Sequence, residues 1–447
     1  MCIDCHEAPA NPKYSAADTL TDVYDVGLNA PGTLNSSLVN SKDNIQGQAK
    51  YTDYKGFDIA TSVLTNVEKT GLRGYYYTTA SCIPTVGAAY GVINGAYFFI
   101  LEIPGITGGD NYFARRVFAQ VTTIKELMAY AKSSNGALAK EVVDARNTLG
   151  EKTQVYDVNS PIVIDHDFTR SSANALTWNN PLVAADATKR DASNPMTFHV
   201  YDVANRYRSL PTAYVIPADA ANVSKVLSVL KKQDIAYYKL ASGTTLKLSQ
   251  YGGTVDSATL GSAKSVTFAN GAYIIPVDGY KAYLTALLFE PDNTDAGTVI
   301  LSFAQAGKLE LTDLYRSTES YIAAKLGLGG TYTEIDLPAG STGKTVSKAA
   351  IDGVSSSSVG SENGKAYIVA PDSSQYTVKF SFTDGTEGTV RVGYSAGDVN
   401  SDGTVTLTDA LILLKSVLNS EVTDCDMNSD GTVNLIDVVR VLKLLSE

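Results

Sequence analysis

Two twelve-residue stretches rich in oxygen side chains stand near the C-terminal end of this chain, 28 residues apart. Asp398-Val-Asn400-Ser-Asp402-Gly403-Thr404-Val405-Thr-Leu407-Thr408-Asp409 reads in register with Asp426-Met-Asn428-Ser-Asp430-Gly431-Thr432-Val433-Asn-Leu435-Ile436-Asp437, and nine of the twelve positions are identical. Side-chain oxygens fall at positions 1, 3, 5 and 12, with Gly at 6. Ca²⁺ takes six to eight hard oxygen ligands, and Gly at this point permits the sharp turn that brings them round the ion. The pattern therefore predicts two Ca²⁺ sites. Asp398, Asn400, Asp402 and Asp409 would hold one ion, with the Thr404 backbone carbonyl at position 7. Asp426, Asn428, Asp430, Asp437 and the Thr432 carbonyl would hold the other. The competing reading is a pair of Asp/Asn/Gly surface turns.

A loop of this kind needs elements to close it. Val405 and Val433, at position 8, would pair the chain beside each loop. Leu411, Leu414 and Leu418, then Val438, Val441, Leu442 and Leu445, recur at helical spacing after each loop. Residues 397–447 resemble a type I dockerin, with Asp rather than Glu at position 12 and no helix before either loop. The resemblance implies an all-α calcium-binding dockerin with paired EF-hand-like loops. It implies a cohesin module of a scaffold protein as partner, and a secreted protein in an extracellular or cell-surface complex. In the family, positions 10 and 11 help to choose the cohesin. Here they are Leu407-Thr408 and Leu435-Ile436, largely apolar where the best-known members carry hydroxyls.

A second candidate site lies at the other end. Met1-Cys-Ile-Asp-Cys5-His6-Glu7 reads as a strand ended by Pro9 and Pro12. Tyr97-Phe-Phe-Ile-Leu101-Glu102-Ile103 is a continuous apolar run, as buried central strands are, with one acid at its far end. Polar residues at strand ends are where α/β sheets place their sites. The alternative makes Glu102 a turn cap and His6 a frayed end.

The first 150 residues resemble the C-terminal half of a zinc carboxypeptidase-like domain. The Ile-Asp-Cys-His6 strand is similar to the one that carries the third zinc ligand, and Ala96–Gly105 to the one that carries the general base, Glu102. One long helix over Arg115–Asn147, buried through Val117, Val121, Ile124, Leu127 and Met128, matches the helix that follows in the family. Tyr77 takes the place of the substrate-closing Tyr. The resemblance implies Zn²⁺ and a peptide substrate in the full-length protein. It also implies that the strands of His6 and Glu102 share a sheet, with the two side chains roughly 5–9 Å apart about a metal-bound water. The family's other two zinc ligands form a His-x-x-Glu. The three His of this chain, His6, His166 and His199, do not spell it, so this chain lacks two zinc ligands. Nor does it open on a secretory signal. Both departures are met by reading it as the C-terminal part of a longer, secreted protein.

The remaining chain sets the context. A length of 447 residues suits two to four domains. Residues 397–447 hold 9 Asp/Glu against 3 Lys/Arg, so six of the eleven net negative charges sit there. No basic block suggests nucleic acid, and no apolar run is long enough for a membrane span. Cys2-Ile-Asp-Cys5-His6 spells the haem c attachment pattern, but nothing after it reads as a haem pocket. Two similar phrases, Ala213–Pro217 and Ala272–Pro276, each read as a strand followed by a helix, so residues 151–332 read as an α+β accessory domain. Residues 333–396 turn Ser-, Gly- and Thr-rich with alternating strands and read as a small all-β module or linker. The fold class is thus multidomain, with an α/β carboxypeptidase-like half domain at the front and the dockerin at the end. The rival functions are a non-catalytic scaffold or adhesion protein and a polysaccharide-degrading component.

Overall fold

The structure is a computed structural model that describes residues 1–8, 25–30, 38, 55–76, 87–104, 113–168, 176–181, 190–198, 202–291, 309–328, 332–341, 343–356, 359–371, 374–419, 425–428 and 432–446. Tyr77, Asp430 and His199 lie outside the described residues. The chain forms two compact units, Met1–Thr318 and Glu319–Glu447.

The first unit opens on a four-stranded mixed sheet. Its strands are β1 (Cys2–Ala8), β2 (Val26–Asn29), β3 (Gly74–Tyr76) and β4 (Phe98–Pro104), in the order β1-β4-β2-β3. β1 runs parallel to β4, and β2 antiparallel to it. Strand period 2 divides β4 by face. Phe99, Leu101 and Ile103 are buried against Ile59, Val63 and Leu64 of α1 (Lys55–Glu68). The other face is more open. A short helix, α2 (Gly87–Ile93), covers it at Phe98, where a Cβ on Gly91 would run into the ring. The run is continuously apolar although only one of its faces is fully covered.

The helix expected over Arg115–Asn147 is two helices, α3 (Phe113–Ser133) and α4 (Ala137–Lys152). Asn135 and Gly136 between them take left-handed backbone, at φ 48° and 86°. That conformation interrupts the right-handed path. The buried face of α3 is also narrower than the apolar spacing suggests. Ala119 and Leu127 are buried, whereas Val117, Val121 and Met128 are 44%, 43% and 63% exposed. They are placed one step round the helix from the stripe that meets the sheet.

β5 (Pro161–Phe168) pairs with β8 (Asp202–Ser209), and β6 (Leu176–Pro181) with β7 (Arg190–Phe198). His166 lies in β5 opposite Ala204. A seven-stranded sheet follows, built from β9 (Ala213–Pro217), β10 (Tyr238–Leu240), β11 (Thr244–Thr254), β12 (Ser257–Leu260), β13 (Lys264–Phe268), β14 (Ala272–Pro276) and β15 (Tyr315–Ser317). The two similar phrases are neighbours in it, since β9 and β14 pair antiparallel with Ile274 opposite Val215. Helices α5 (Val223–Lys232) and α6 (Ala282–Phe289) follow them. The core of this region also takes in Ala89, Ile93 and Leu149 from the first 150 residues.

The second unit begins with the short helix α7 (Ile322–Lys325). A three-stranded sheet comprises β16 (Tyr332–Asp336), β19 (Gly360–Glu362) and β20 (Lys365–Val369). A four-stranded sheet comprises β17 (Val346–Ile351), β18 (Val354–Ser356), β21 (Tyr376–Phe382) and β22 (Glu387–Val392). Ile335, Ile368, Val378 and Phe380 fill the core between them. Two helices, α8 (Leu407–Leu418) and α9 (Leu435–Leu444), end the chain and bury Ala410, Leu413, Val438 and Val441. No helix among the described residues is long and apolar enough to cross a membrane.

Candidate functional site

The loop over 398–409 is built on its own amides. Asp398 Oδ1 accepts from the Asp402 N–H at 3.1 Å and Oδ2 from the Gly403 N–H at 2.9 Å. The Asn400 side-chain oxygen accepts from Asp402 N–H, and Asp402 Oδ1 from the Thr404 N–H and hydroxyl. Gly403, at φ 89°, makes the turn that brings its amide to Asp398 Oδ2. Asp409 closes the loop from the first turn of α8. Its Oδ1 accepts from the Val399 and Asn400 N–H groups and its Oδ2 from the Thr406 N–H and hydroxyl. Thr406 in turn caps α8. Burial pushes the Asp409 carboxyl up, and these donors outweigh it and hold it below its ordinary value. The second loop repeats the scheme where it is described. Asp437 Oδ1 accepts from Met427 N–H, and Asn434 caps α9 by the same box.

Asp398, Asp409 and Asp437 are each 0% exposed. Among the described residues none of the three has a Lys, Arg or His partner within ion-pair distance. A buried carboxylate ordinarily has a cation or a metal beside it. The donor set is all oxygen, as Ca²⁺ requires. It mixes carboxylates with an amide oxygen and a carbonyl. No group of three His, Cys, Asp or Glu among the described residues forms a metal cluster by itself. Ca²⁺ fits this chemistry because it accepts neutral oxygens beside acids.

The apolar residues of the two helices divide between two faces. The inward ones join the hairpin core. Leu407, Leu411 and Leu418 of α8, and Leu435, Ile436 and Val439 of α9, are more than half exposed. The same segment thus presents an acid-lined loop and an outward apolar surface.

At the other candidate site, the parallel register sets His6 directly beside Glu102 and Asp4 beside Ile100. Period 2 places Asp4, His6 and Glu102 on one sheet face. His6 Nε2 lies 2.9 Å from Asp4 Oδ2, and His6 Nδ1 lies 3.9 Å from Glu102 Oε1. The strands share a sheet as the resemblance implies, but the side chains stand closer than the roughly 5–9 Å gap a metal-bound water requires. Burial raises the Glu102 carboxyl above its ordinary value; His6 draws it down and Asp4 pushes it up. Glu102 Oε2 is buried without a hydrogen-bond partner among the described residues. A catalytic zinc needs three protein ligands and an open position. One imidazole, already engaged by Asp4, does not meet that need, so Zn²⁺ does not fit the residues present. Asp4 was not apparent as a partner in the sequence; its spacing of two from His6 on a strand is the signal for it.

A third cluster has no motif behind it. Glu290, 0% exposed, accepts from the Tyr214 hydroxyl at 2.5 Å, from the Tyr251 hydroxyl at 2.7 Å and from Arg208 at 2.7 Å. Arg316 approaches it at 4.0 Å. Burial alone would raise this carboxyl, but Arg316, Arg208 and the Tyr214 hydroxyl bring it below its ordinary value. Four strands and the residue after α6 converge here, and Arg316 also donates to the Ser209 carbonyl, so the cluster reads as a structural tie.

No curated protein and no solved structure matches the chain. Residues 396–446, the segment of the local repeat, match the family model of the dockerin type I domain.

Proposed function

We propose that this chain is a secreted protein anchored through its dockerin to a cohesin module of an extracellular scaffold, as in cellulosome-type complexes, and that Ca²⁺ holds the dockerin in its binding form. The observation that carries the reading is the set of buried aspartates, Asp398, Asp409 and Asp437, whose carboxylates have no ion-pair partner among the described residues. Asp398, Asn400, Asp402, Asp409 and the Thr404 carbonyl would hold one ion. Asp426, Asn428, Asp430, Asp437 and the Thr432 carbonyl would hold the other. Bound Ca²⁺ supplies the charge that these acids lack. Leu435, Ile436 and Val439 then give an apolar contact surface held at a fixed angle to the loop. Calorimetric titration of the full chain against a panel of cohesin modules tests this. Binding in Ca²⁺ that vanishes in EGTA is expected, with Ile436→Asp weakening it at least roughly tenfold through loss of buried apolar contact. Equal binding in EGTA, or none to any cohesin, overturns it.

A second reading concerns residues 1–150. They are proposed as similar to the segment of a zinc carboxypeptidase-like domain in which His6 would be the third zinc ligand and Glu102 the general base, with Tyr77 closing on a peptide substrate, although the residues present do not by themselves hold Zn²⁺. The pairing of His6 with Glu102 on parallel strands favours it. With one His at the site, this chain is expected to show no zinc-dependent release of C-terminal residues from a blocked dipeptide. Turnover that survives His6→Ala would place the chemistry elsewhere.

A further inference from the structure

The two copies of the loop can be compared position by position, and they differ in what holds their first turn. In the second copy Arg440 of α9 reaches back and donates from Nη1 to the Met427 carbonyl at 3.2 Å. The position 28 residues earlier in α8 is Ile412, which has nothing to donate. The first copy is instead met from outside the repeat. Arg391, on β22 of the preceding β module, donates from Nη1 to the carbonyl of Asp398, the first residue of the loop.

The connection between them is built for this contact. Five residues separate β22 from Asp398. Gly393 and Gly397 in that stretch take left-handed backbone, at φ 80° and 94°. A Cβ on Gly393 would run into the Ser374 carbonyl. The Cα of Gly397 lies against the side chains of Val405, Leu444 and Met427, which a Cβ there would meet at 3.3–3.6 Å. The Asp398 N–H donates to the Ser395 carbonyl at 3.0 Å. The join is a packed turn in which β22 and the loop belong to one unit, Glu319–Glu447.

We infer that Arg391 is a positioning residue for the first calcium loop, as Arg440, on the carbonyl one loop position later, is for the second, so that the β module completes the dockerin's first metal site. The inference rests on the calcium reading above. Asp398 accepts with its side chain from amides within the loop and with its carbonyl from Arg391 outside it. A guanidinium on that carbonyl fixes the peptide plane from which the carboxylate projects. A charge-assisted hydrogen bond of this kind contributes more than a neutral one. Repulsion between the guanidinium and the ion acts in the opposite direction, so the sign of the effect is itself a test.

The experiment is a calcium titration of the full chain followed by hydrogen-exchange mass spectrometry, with half-protection read separately from peptides of the two loops. Arg391→Ala is expected to raise the calcium concentration for the first loop roughly fivefold and leave the second near its original value. Arg440→Ala is expected to do the reverse. Protection of β22 in EGTA reports whether the alanine variant still folds. Should it open, Arg391→Lys, which keeps the stem and the charge but loses the fork, must still weaken the first loop relative to the second. An unchanged or tightened first loop, or equal weakening of both, overturns the inference. Absence of calcium-dependent protection in either loop overturns the calcium reading instead.

Discussion

Buried carboxylates occur in both units of this protein, and they are neutralised in opposite ways. In the first unit two of them, Asp25 and Glu290, have their own arginines. Asp25 accepts from Arg73 at 2.8 and 3.0 Å and from Arg115 at 2.8 Å, and Glu290 lies between Arg208 and Arg316. In the dockerin, Asp398, Asp409 and Asp437 are as deeply buried and have amides and hydroxyls but no such partner. Amide donors orient a carboxylate without cancelling its charge. In the first unit the chain itself supplies the charges that balance Asp25 and Glu290. In the dockerin it does not, and there the proposed ion would act. Four measurements bear on that contrast.

Calcium removal has the largest expected effect. In EGTA the amides of 407–418 and 435–444 lose their protection in the full chain, because the small core of Ala410, Leu413, Val438 and Val441 cannot offset chain entropy against the repulsion of clustered acids. Strands β9 and β14 keep theirs. Hydrogen exchange read by peptide distinguishes the two. Helices equally protected with and without calcium would end the contrast, since the aspartates would then need no ion.

Second is Glu290→Ala. It leaves Arg316, 1% exposed, without its carboxylate and strands two buried tyrosine hydroxyls. Breaking a buried pair from one side costs about 3–5 kcal/mol. Urea unfolding followed by a probe in the first unit measures it. A loss below about 1 kcal/mol would mean that the cluster is solvated and not a closed tie.

How much of this was legible from sequence depends on whether the partners are near in the chain. Each oxygen-rich loop of the dockerin segment lies within twelve residues, and the copy 28 residues on repeats it, so spacing alone exposes the repeat. The strands of His6 and Glu102 were legible as strands, because apolar composition is local. Their in-register pairing is a tertiary fact, and so is the contact between His6 and Asp4. The break at Asn135-Gly136 escaped because apolar residues continue at helical spacing on both sides of it. Val117, Val121 and Met128 show the limit of periodicity. It detects an amphipathic helix, but the width of the covered stripe is set by what packs there. Glu290 was illegible, since its partners span residues 208 to 316 with no spacing rule among them. Arg391 was legible as part of a strand only; its reach to Asp398 depends on the turn between them.

A third test uses pH on Asp25. Its carboxyl is held at about 2, below the ordinary 3.8, where burial would raise it but hydrogen bonds from Arg115 and Arg73 prevail. The folded value lies below the unfolded one. The stabilisation is therefore fully present above roughly pH 4 and is lost as pH falls through 2. Its size is about 2.4 kcal/mol, from the shift between those two values. Asp25→Asn should unfold more easily than the parent at pH 6 and lose most of that disadvantage near pH 2. A constant difference across the range would mean that the arginines do not act through charge.

The smallest expected effect asks what the amides and hydroxyls do beyond the ion. Thr406 serves twice. Its oxygen accepts from the Thr408 N–H to cap α8, and its hydroxyl donates to Asp409 Oδ2 at 3.0 Å. Thr406→Ala removes both, at a cost of about 1 kcal/mol typical of a lost N-cap. Asn434 caps α9 through its oxygen, and Asp437 Oδ2 accepts there from the Asn434 backbone N–H, which a substitution keeps. Asn434→Ala should therefore lose the cap alone. If the hydroxyl helps to aim Asp409, the threonine variant loses more stability in calcium than the asparagine variant, which loses its cap alone. Calorimetric unfolding of the full chain in calcium gives the two values. Equal losses would assign Thr406 to the helix alone and leave the aim of Asp409 to the Val399, Asn400 and Thr406 amides.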